Sequence, residues 1–160
     1  MEYEITDYIT PEEYMEMRRL VEWSEFPLEQ AVEGIKHSAY LSVFRKDGKV
    51  IALARVITDF GYVVYIADVI VHPDYQGQGL GRKLMEDIMA YIKGQLKPGY
   101  KKMVSLMAAE CVSGLWLKNK GEGLGPSGSE LKKLILPEQS VMITVNKYKP
   151  DPAYFKASFC

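Results

Sequence analysis

The stretch Val69-Ile-Val-His-Pro-Asp-Tyr-Gln-Gly-Gln-Gly-Leu-Gly-Arg-Lys-Leu84 constrains the fold more than any other part of the chain. Its apolar, β-branched opening reads as a buried strand. Pro73 has no amide hydrogen for a ladder, so the strand is expected to stop near His72. Gly77, Gly79 and Gly81 alternate after it, where a bare backbone turns tightly and lets a ligand come close. Leu80, Leu84, Ile88 and Ile92 then recur four residues apart, the stripe of a helix with one buried face. Strand, glycine turn and helix start in that order make a socket for an anion. Free N–H groups converge there, with the positive end of the helix dipole behind them.

Arg82 and Lys83 fall in the first turn of that helix, where cations oppose the macrodipole at a cost of about 0.3–1 kcal/mol. A bound phosphate reverses the penalty. Two basic residues on a solvated helix face are the plainer reading, but their place directly after the glycines weighs toward phosphate. Two familiar phosphate loops fail on spacing. No glycine precedes a Lys-Ser or Lys-Thr pair, as a P-loop requires. Arg82 and Leu84 stand where a dinucleotide fingerprint would place its third glycine.

Gln76-Gly-Gln-Gly-Leu-Gly81 resembles instead the Q/R-x-x-G-x-G/A signature of the GNAT superfamily, the acyl-CoA-dependent N-acyltransferases. The flanking Val-His-Pro-Asp-Tyr and Arg-Lys-Leu-Met extend the resemblance over about residues 62 to 93. It implies acetyl-CoA, or another acyl-CoA, as co-substrate and an amine as acceptor. It also implies a mixed sheet whose two parallel strands splay apart to admit CoA. Gln76, Gly77, Gln78, Gly79, Leu80, Gly81, Arg82 and Lys83 would then meet the pyrophosphate, mostly through backbone N–H groups. The backbone of Val69, Ile70 and Val71 would pair with the amide-rich pantetheine arm like an added strand. An N–H freed near Val69 would stabilise the tetrahedral oxyanion.

The rest of the chain fits one α/β domain over residues 1–160, with an α+β mixed, mostly antiparallel sheet and flanking helices. At 160 residues it can bury about two-thirds of its unfolded surface. A net charge of −1, with both signs interspersed, gives no field for nucleic acid or an anionic membrane. Cys111 and Cys160 are too few for a disulfide framework and fit a reducing, cytoplasmic setting. Two histidines and two unclustered cysteines argue against a metal site. The start, Met-Glu-Tyr-Glu, lacks the basic and apolar regions of a signal peptide.

Residues 2 to 8 alternate as a half-buried strand. Thr10-Pro-Glu-Glu13 reads as a helix start with a capping box, and Tyr14, Met17 and Val21 share one face. Pro27 is expected to open a short second helix that turns Leu28, Val32 and Ile35 to the core. Between the helices, Trp23 and Phe26 are core packing or, if the resemblance holds, part of an acceptor pocket. Strands over residues 40–45 and 50–57 flank Asp47-Gly48, a hairpin signal, and a third runs from Tyr62 to Val71. Val104 to Ala108 completes a right-handed β-α-β unit after the crossover helix. Cys111 to Lys118 suits a short helix and Asn119 to Ser129 a glycine-rich loop. Ser140 to Val145 reads as the last strand, whose edge could support a homodimer.

Acyl transfer to an amine needs a base for the ammonium and an acid for the leaving thiolate. Members of the family often use a tyrosine after the fifth strand as the acid. Here Trp116 stands at or beside that position, and indole cannot serve. Ser113, Cys111 or water are the substitutes. Tyr65, Asp68 and Glu110 are the candidates for the base. Asp68 interrupts an apolar strand, where a carboxylate must be paired or working. Glu110 lies just past a parallel strand's end, where open sheets place ligands. His72 reads as a strand-end residue. The expected function is transfer of an acetyl group to a small primary amine by direct attack in a ternary complex. A CoA-binding sensor or partner module with its chemistry lost is the alternative.

Overall fold

Local signals start the chain. In the computed structural model, which describes residues 1–108, 132–135 and 141–147, the Glu13 amide donates to the Thr10 hydroxyl. The Thr10 amide in turn donates to the Glu13 carboxylate. That capping box opens helix α1, Pro11–Leu20. Strand β1, Glu4–Thr6, precedes it, and helix α2, Leu28–Lys36, follows with Pro27 before its first turn. The hairpin of β2 (Tyr40–Lys46) and β3 (Lys49–Thr58) turns at Asp47 and Gly48. Their φ values of 50° and 76° are the pair of positive angles that a two-residue type I′ turn demands.

Strand β4, Val63–Val71, ends one residue before His72, and Pro73–Tyr75 forms a single 3-10 turn. Helix α3 runs Leu80–Gly94, and strands β5 (Lys102–Ala108), β6 (Lys132–Ile135) and β7 (Val141–Lys147) complete the described elements. They form one seven-stranded mixed sheet in the order β1-β2-β3-β4-β5-β7-β6. Pairing is antiparallel except between β4 and β5 and between β5 and β7. The expected last strand is therefore interior, and β6, which the sequence did not announce, lies at the edge. The segment expected to be helical after β5, the glycine-rich loop, Glu110, Cys111, Ser113 and Trp116 lie outside the described residues.

Two apolar layers cover the two faces of the sheet. Leu80, Leu84, Ile88 and Ile92 of α3 pack on Phe44, Ala52, Ala54, Val56, Val64, Ile66 and Val104. Tyr14, Met17, Val21 and Ala31 pack on Val43, Leu53 and Ile70 from the other side. The α1 and α3 stripes are thus as their spacing predicts. Helix α2 is so only in part: Ile35 packs half-buried against this layer, but Leu28 and Val32 are each 42% exposed, and Ala31 is the residue fully buried. Close approach explains the exchange, since a small side chain lets this short helix pack tightly against α1 where a leucine would hold it off. Among the described residues no helix is long and apolar enough to cross a membrane.

Candidate active site

The parallel strands β4 and β5 pair only from Val63↔Met103 to Ile66↔Leu106. Beyond that point β4 continues to Val71 and β5 to Ala108. Residues 67–71 therefore have no register partner in β5, and a gap opens in the sheet on that side. The closed end is pinned. The buried Lys102 ammonium donates to the carbonyls of Phe60 and Gly61, at 3.4 and 3.0 Å, and the Met103 amide donates to Tyr62.

At the gap β4 is bulged. Ala67 pairs with Arg55 and Ile70 with Leu53, so Asp68 and Val69 together oppose the single residue Ala54. Asp68 takes a φ of 51°, the left-handed region that a side chain enters only at a cost of about 1–3 kcal/mol. Its carboxylate is held by three donors. Oδ2 accepts from the Tyr14 hydroxyl at 2.7 Å and from Arg55 Nε at 2.5 Å, and Oδ1 accepts from Arg18 Nη1 at 3.0 Å. Charge-assisted bonds of this kind are about twice as strong as neutral ones, which offsets the backbone strain. Burial, reinforced by the Asp68 charge, pushes the Tyr14 hydroxyl up to about 12, so it remains a donor.

The cluster reaches further. Arg18 Nη2 donates to the Ser24 carbonyl between the helices, and its guanidinium lies over the rings of Trp23 and Phe26. Arg55 Nη1 donates to the Gly34 carbonyl and to the Ser38 hydroxyl at the end of α2. A Cβ at Gly34 would come within 3.3 Å of that guanidinium, which accounts for a glycine inside a helix. Trp23 and Phe26, both half-buried, pack on the α1–α2 layer with Arg18 between them.

At the mouth of the gap stands the glycine turn. Gly77 and Gly79 have φ of 72° and 79°, and a Cβ on either would meet nothing within 4 Å. The space in front of the turn is open, so the glycines answer the backbone angle and not crowding within the chain. Gly79 caps α3 without a side-chain bond, and the first turn carries no acidic residue. The Lys83 amide is the first to bond back, to Gly79. The amides of Leu80, Gly81 and Arg82 thus face outward unbonded by the helix, as at any uncapped N-terminus. Gln76 ties the turn to the strand, its side-chain amide donating to the Val71 carbonyl at 3.1 Å. Gln78 bonds back to the Asp74 carbonyl, and Lys83 lies 5.0 Å from the Tyr3 ring.

The structure thus brings Val69, Ile70 and Val71 to the gap and residues 76–83 to its mouth. Ile70 is fully buried, so its backbone alone can serve a ligand. Tyr65 lies in the last paired stretch, opposite Ser105. Burial and the Asp68 charge raise its hydroxyl above the ordinary value, so at neutral pH it holds its proton. Such a group gives a proton to a thiolate more readily than it takes one from an ammonium. His72 lines a separate cavity of about 340 Å³ beside α1, and its Nδ1 accepts from the Asp74 amide. Among the described residues no cluster of His, Cys, Asp or Glu could hold a metal. Sequence reasoning missed Tyr14, Arg18 and Arg55. Arg55 was the available signal, a charge inside the apolar run of β3 just as Asp68 is inside β4.

Comparison with known proteins agrees with this geometry. The model of the acetyltransferase (GNAT) family matches residues 3–112, more than half of the chain. The crystal structure of a probable acetyltransferase of unknown function from meticillin-resistant Staphylococcus aureus is 30% identical. It superimposes with a TM-score of 0.67, over 83% of this chain and 100% of that one. Glucosamine-6-phosphate N-acetyltransferase from Arabidopsis thaliana shares the fold at 18% identity, with a TM-score of 0.57 over 81% of this chain and 98% of its own. The uncharacterized N-acetyltransferase ycf52 of Porphyra purpurea is 32% identical over 77 residues, 46% of this chain and 44% of that protein. The chain spans less than half the length of the curated relatives it matches first. With a parted pair of parallel strands, an open glycine turn at an uncapped helix and a match across residues 3–112, the chain belongs to the GNAT acetyltransferase family.

Proposed function

We propose that this protein transfers an acetyl group from acetyl-CoA to a small primary amine by direct attack in a ternary complex. The observation that carries the reading is the alignment of two unpaired backbone surfaces. Residues 67–71 of β4 end at the turn whose outward amides open α3. The first surface suits an extended, amide-bearing arm. The second suits a pyrophosphate, with Arg82 and Lys83 beside it.

In this reading the thioester carbonyl lies against the bulged backbone at Val69, whose N–H meets the oxyanion. The amine, once deprotonated, forms the C–N bond; its nitrogen sheds a further proton to water as the C–S bond breaks and the CoA thiolate leaves. Tyr65, protonated at neutral pH, gives its proton to that thiolate and regains one from water. A sensor or partner module is the second reading, which Trp116, at or beside the position of the family's tyrosine, favours.

Thermal stabilisation by acetyl-CoA, with ATP and desulfo-CoA as controls, is the first test. A ligand at 100 times its Kd adds about 2.7 kcal/mol. A shift with acetyl-CoA and none with ATP supports the socket, and thiol release with an amine panel then separates enzyme from sensor. No shift at millimolar acetyl-CoA rejects both readings.

A further inference from the structure

The Asp68 carboxylate accepts from three different side chains, and these come from two elements. Tyr14 and Arg18 belong to α1 and Arg55 to β3. Arg18 carries the tie on to Ser24 between the helices, and Arg55 carries it to Gly34 and Ser38 of α2 and its end. The side chains of Arg18, Asp68 and Arg55 are only 13%, 12% and 12% exposed. Ion pairs buried to this degree are poor devices for stability, since apolar packing does as well. Geometry is what they can supply. Here the geometry is unusual: an aspartate in the left-handed region, at the first residue of the bulge that takes β4 out of its ladder. Glycine occupies such a position more readily. Its replacement by a side chain that three donors grip fixes the bulge at one place in the strand.

We propose that Asp68 is a positioning residue for acyl transfer, gripped by Tyr14, Arg18 and Arg55 so that the backbone at Val69 stays out of the ladder and available to the reacting carbonyl. The inference rests on the acetyltransferase reading, and it assigns Asp68 a role other than that of the base. Through Arg18 and Arg55 the same grip ties the helix pair α1–α2 to the bulge. Nothing in the cluster bonds to residues 76–83. Loosening it should spare the binding of the CoA diphosphate and lower the rate.

The test compares Asp68→Asn, Asp68→Gly and Asp68→Ala in the full chain. Acetyl-CoA Kd is measured by calorimetry, and kcat, KM and the pH–rate profile with the best amine of the panel. Asparagine accepts hydrogen bonds and tolerates the left-handed angle, glycine has the angle without the grip, and alanine has neither. The expected order of kcat is wild type, then Asn down about 10-fold, then Gly, then Ala down about 10²–10³-fold, the size of a lost oxyanion donor. Acetyl-CoA Kd should change far less than kcat throughout, because the turn at residues 76–83 is untouched. The acidic limb of the pH profile should persist in Asp68→Asn. A folded Asp68→Ala protein with kcat within about 3-fold of wild type overturns the proposal. So does an Asn variant as inactive as Ala that has lost the acidic limb, which would make Asp68 the base. Should Asp68→Ala not fold, Asp68→Asn and Tyr14→Phe carry the test, each expected to lower kcat with acetyl-CoA Kd held. If the wild type binds acetyl-CoA but acetylates no amine, the acetyltransferase reading itself fails, a result distinct from either outcome above.

Discussion

Ile66 and Ile70 lie four residues apart on one strand yet face opposite layers of the protein, Ile66 under α3 and Ile70 under α1 and α2. In a regular strand they would share a face. The bulge at Asp68 and Val69 supplies the extra residue that reverses the phase. Deleting Asp68 should therefore heal the ladder, setting Val69 opposite Ala54 while both isoleucines keep their layers. The deletion leaves Arg18 and Arg55 without their counter-charge, at about 3–5 kcal/mol. A folded but weakened protein is expected by far-UV dichroism and urea titration. Deleting Tyr65 from the same strand slips the residues before it by one and exchanges their faces, and no cooperative transition should remain.

Gly79 and Gly81 should separate stability from ligand binding. At φ 79° an alanine is strained, so Gly79→Ala is expected to lose about 1–2 kcal/mol without ligand. Gly81 is the second residue of α3, and a Cβ there would meet only Val71 Cγ2, at 3.9 Å. Gly81→Ala should thus gain up to about 1 kcal/mol. Both should lose most of the stabilisation by acetyl-CoA, because the added methyl stands where the phosphates are proposed to come. A Gly81→Ala protein that keeps the full ligand shift would place the diphosphate elsewhere.

The Glu13 carboxylate is held down at about 2, from its ordinary 4.5, chiefly by the Arg45 guanidinium at 2.7 and 2.8 Å. A carboxylate lowered by folding contributes fully above its unfolded value and loses that contribution as pH falls toward the folded one. Glu13→Gln keeps the capping bond, since an amide oxygen still accepts from the Thr10 N–H, and should cost about 1 kcal/mol at pH 7 for the lost ion pair. Chemical denaturation from pH 7 to 2 should show that gap constant above about pH 5 and closing below it.

At the alkaline end Tyr40 governs. Its hydroxyl donates to Asp87 at 2.8 Å, and its ring stacks on Tyr91 with centroids 4.3 Å apart. Burial and then that hydrogen bond push it from 10.0 to about 12. The folded state keeps the proton that the unfolded state gives up, so stability is full below pH 10 and falls as pH rises toward 12. Tyr40→Phe keeps the stack and loses the bond. It should cost about 1–2 kcal/mol at pH 8 and fall less steeply than wild type above pH 10, with the two curves converging.

Where period and capping act locally, the sequence was legible. The stripe of α3, the Thr10–Glu13 box and the Asp47–Gly48 turn were each written in consecutive residues, as was the turn with its left-handed Gly77 and Gly79. The α2 face was legible only at Ile35, because Ala31 is buried by how closely the helix packs on α1, a tertiary choice that overrides the apolarity of Leu28 and Val32. The bulge was hidden for a related reason: Val63 to Val71 is apolar almost throughout, so no alternation exists to reveal a change of phase. Asp68 stood out, but its partners lie 54, 50 and 13 residues away, separations that no local pattern encodes.

The four residue pairs that join β4 to β5 have a mechanical consequence. They are the only register contacts between β1–β4 and β5–β7–β6 among the described residues, and they lie at one end, beside Lys102. The two half-sheets are thus joined like a zip fastened at the pinned end. An extended ligand in the gap would serve as the missing length of that zip, so occupancy and the cohesion of the two halves rise and fall together.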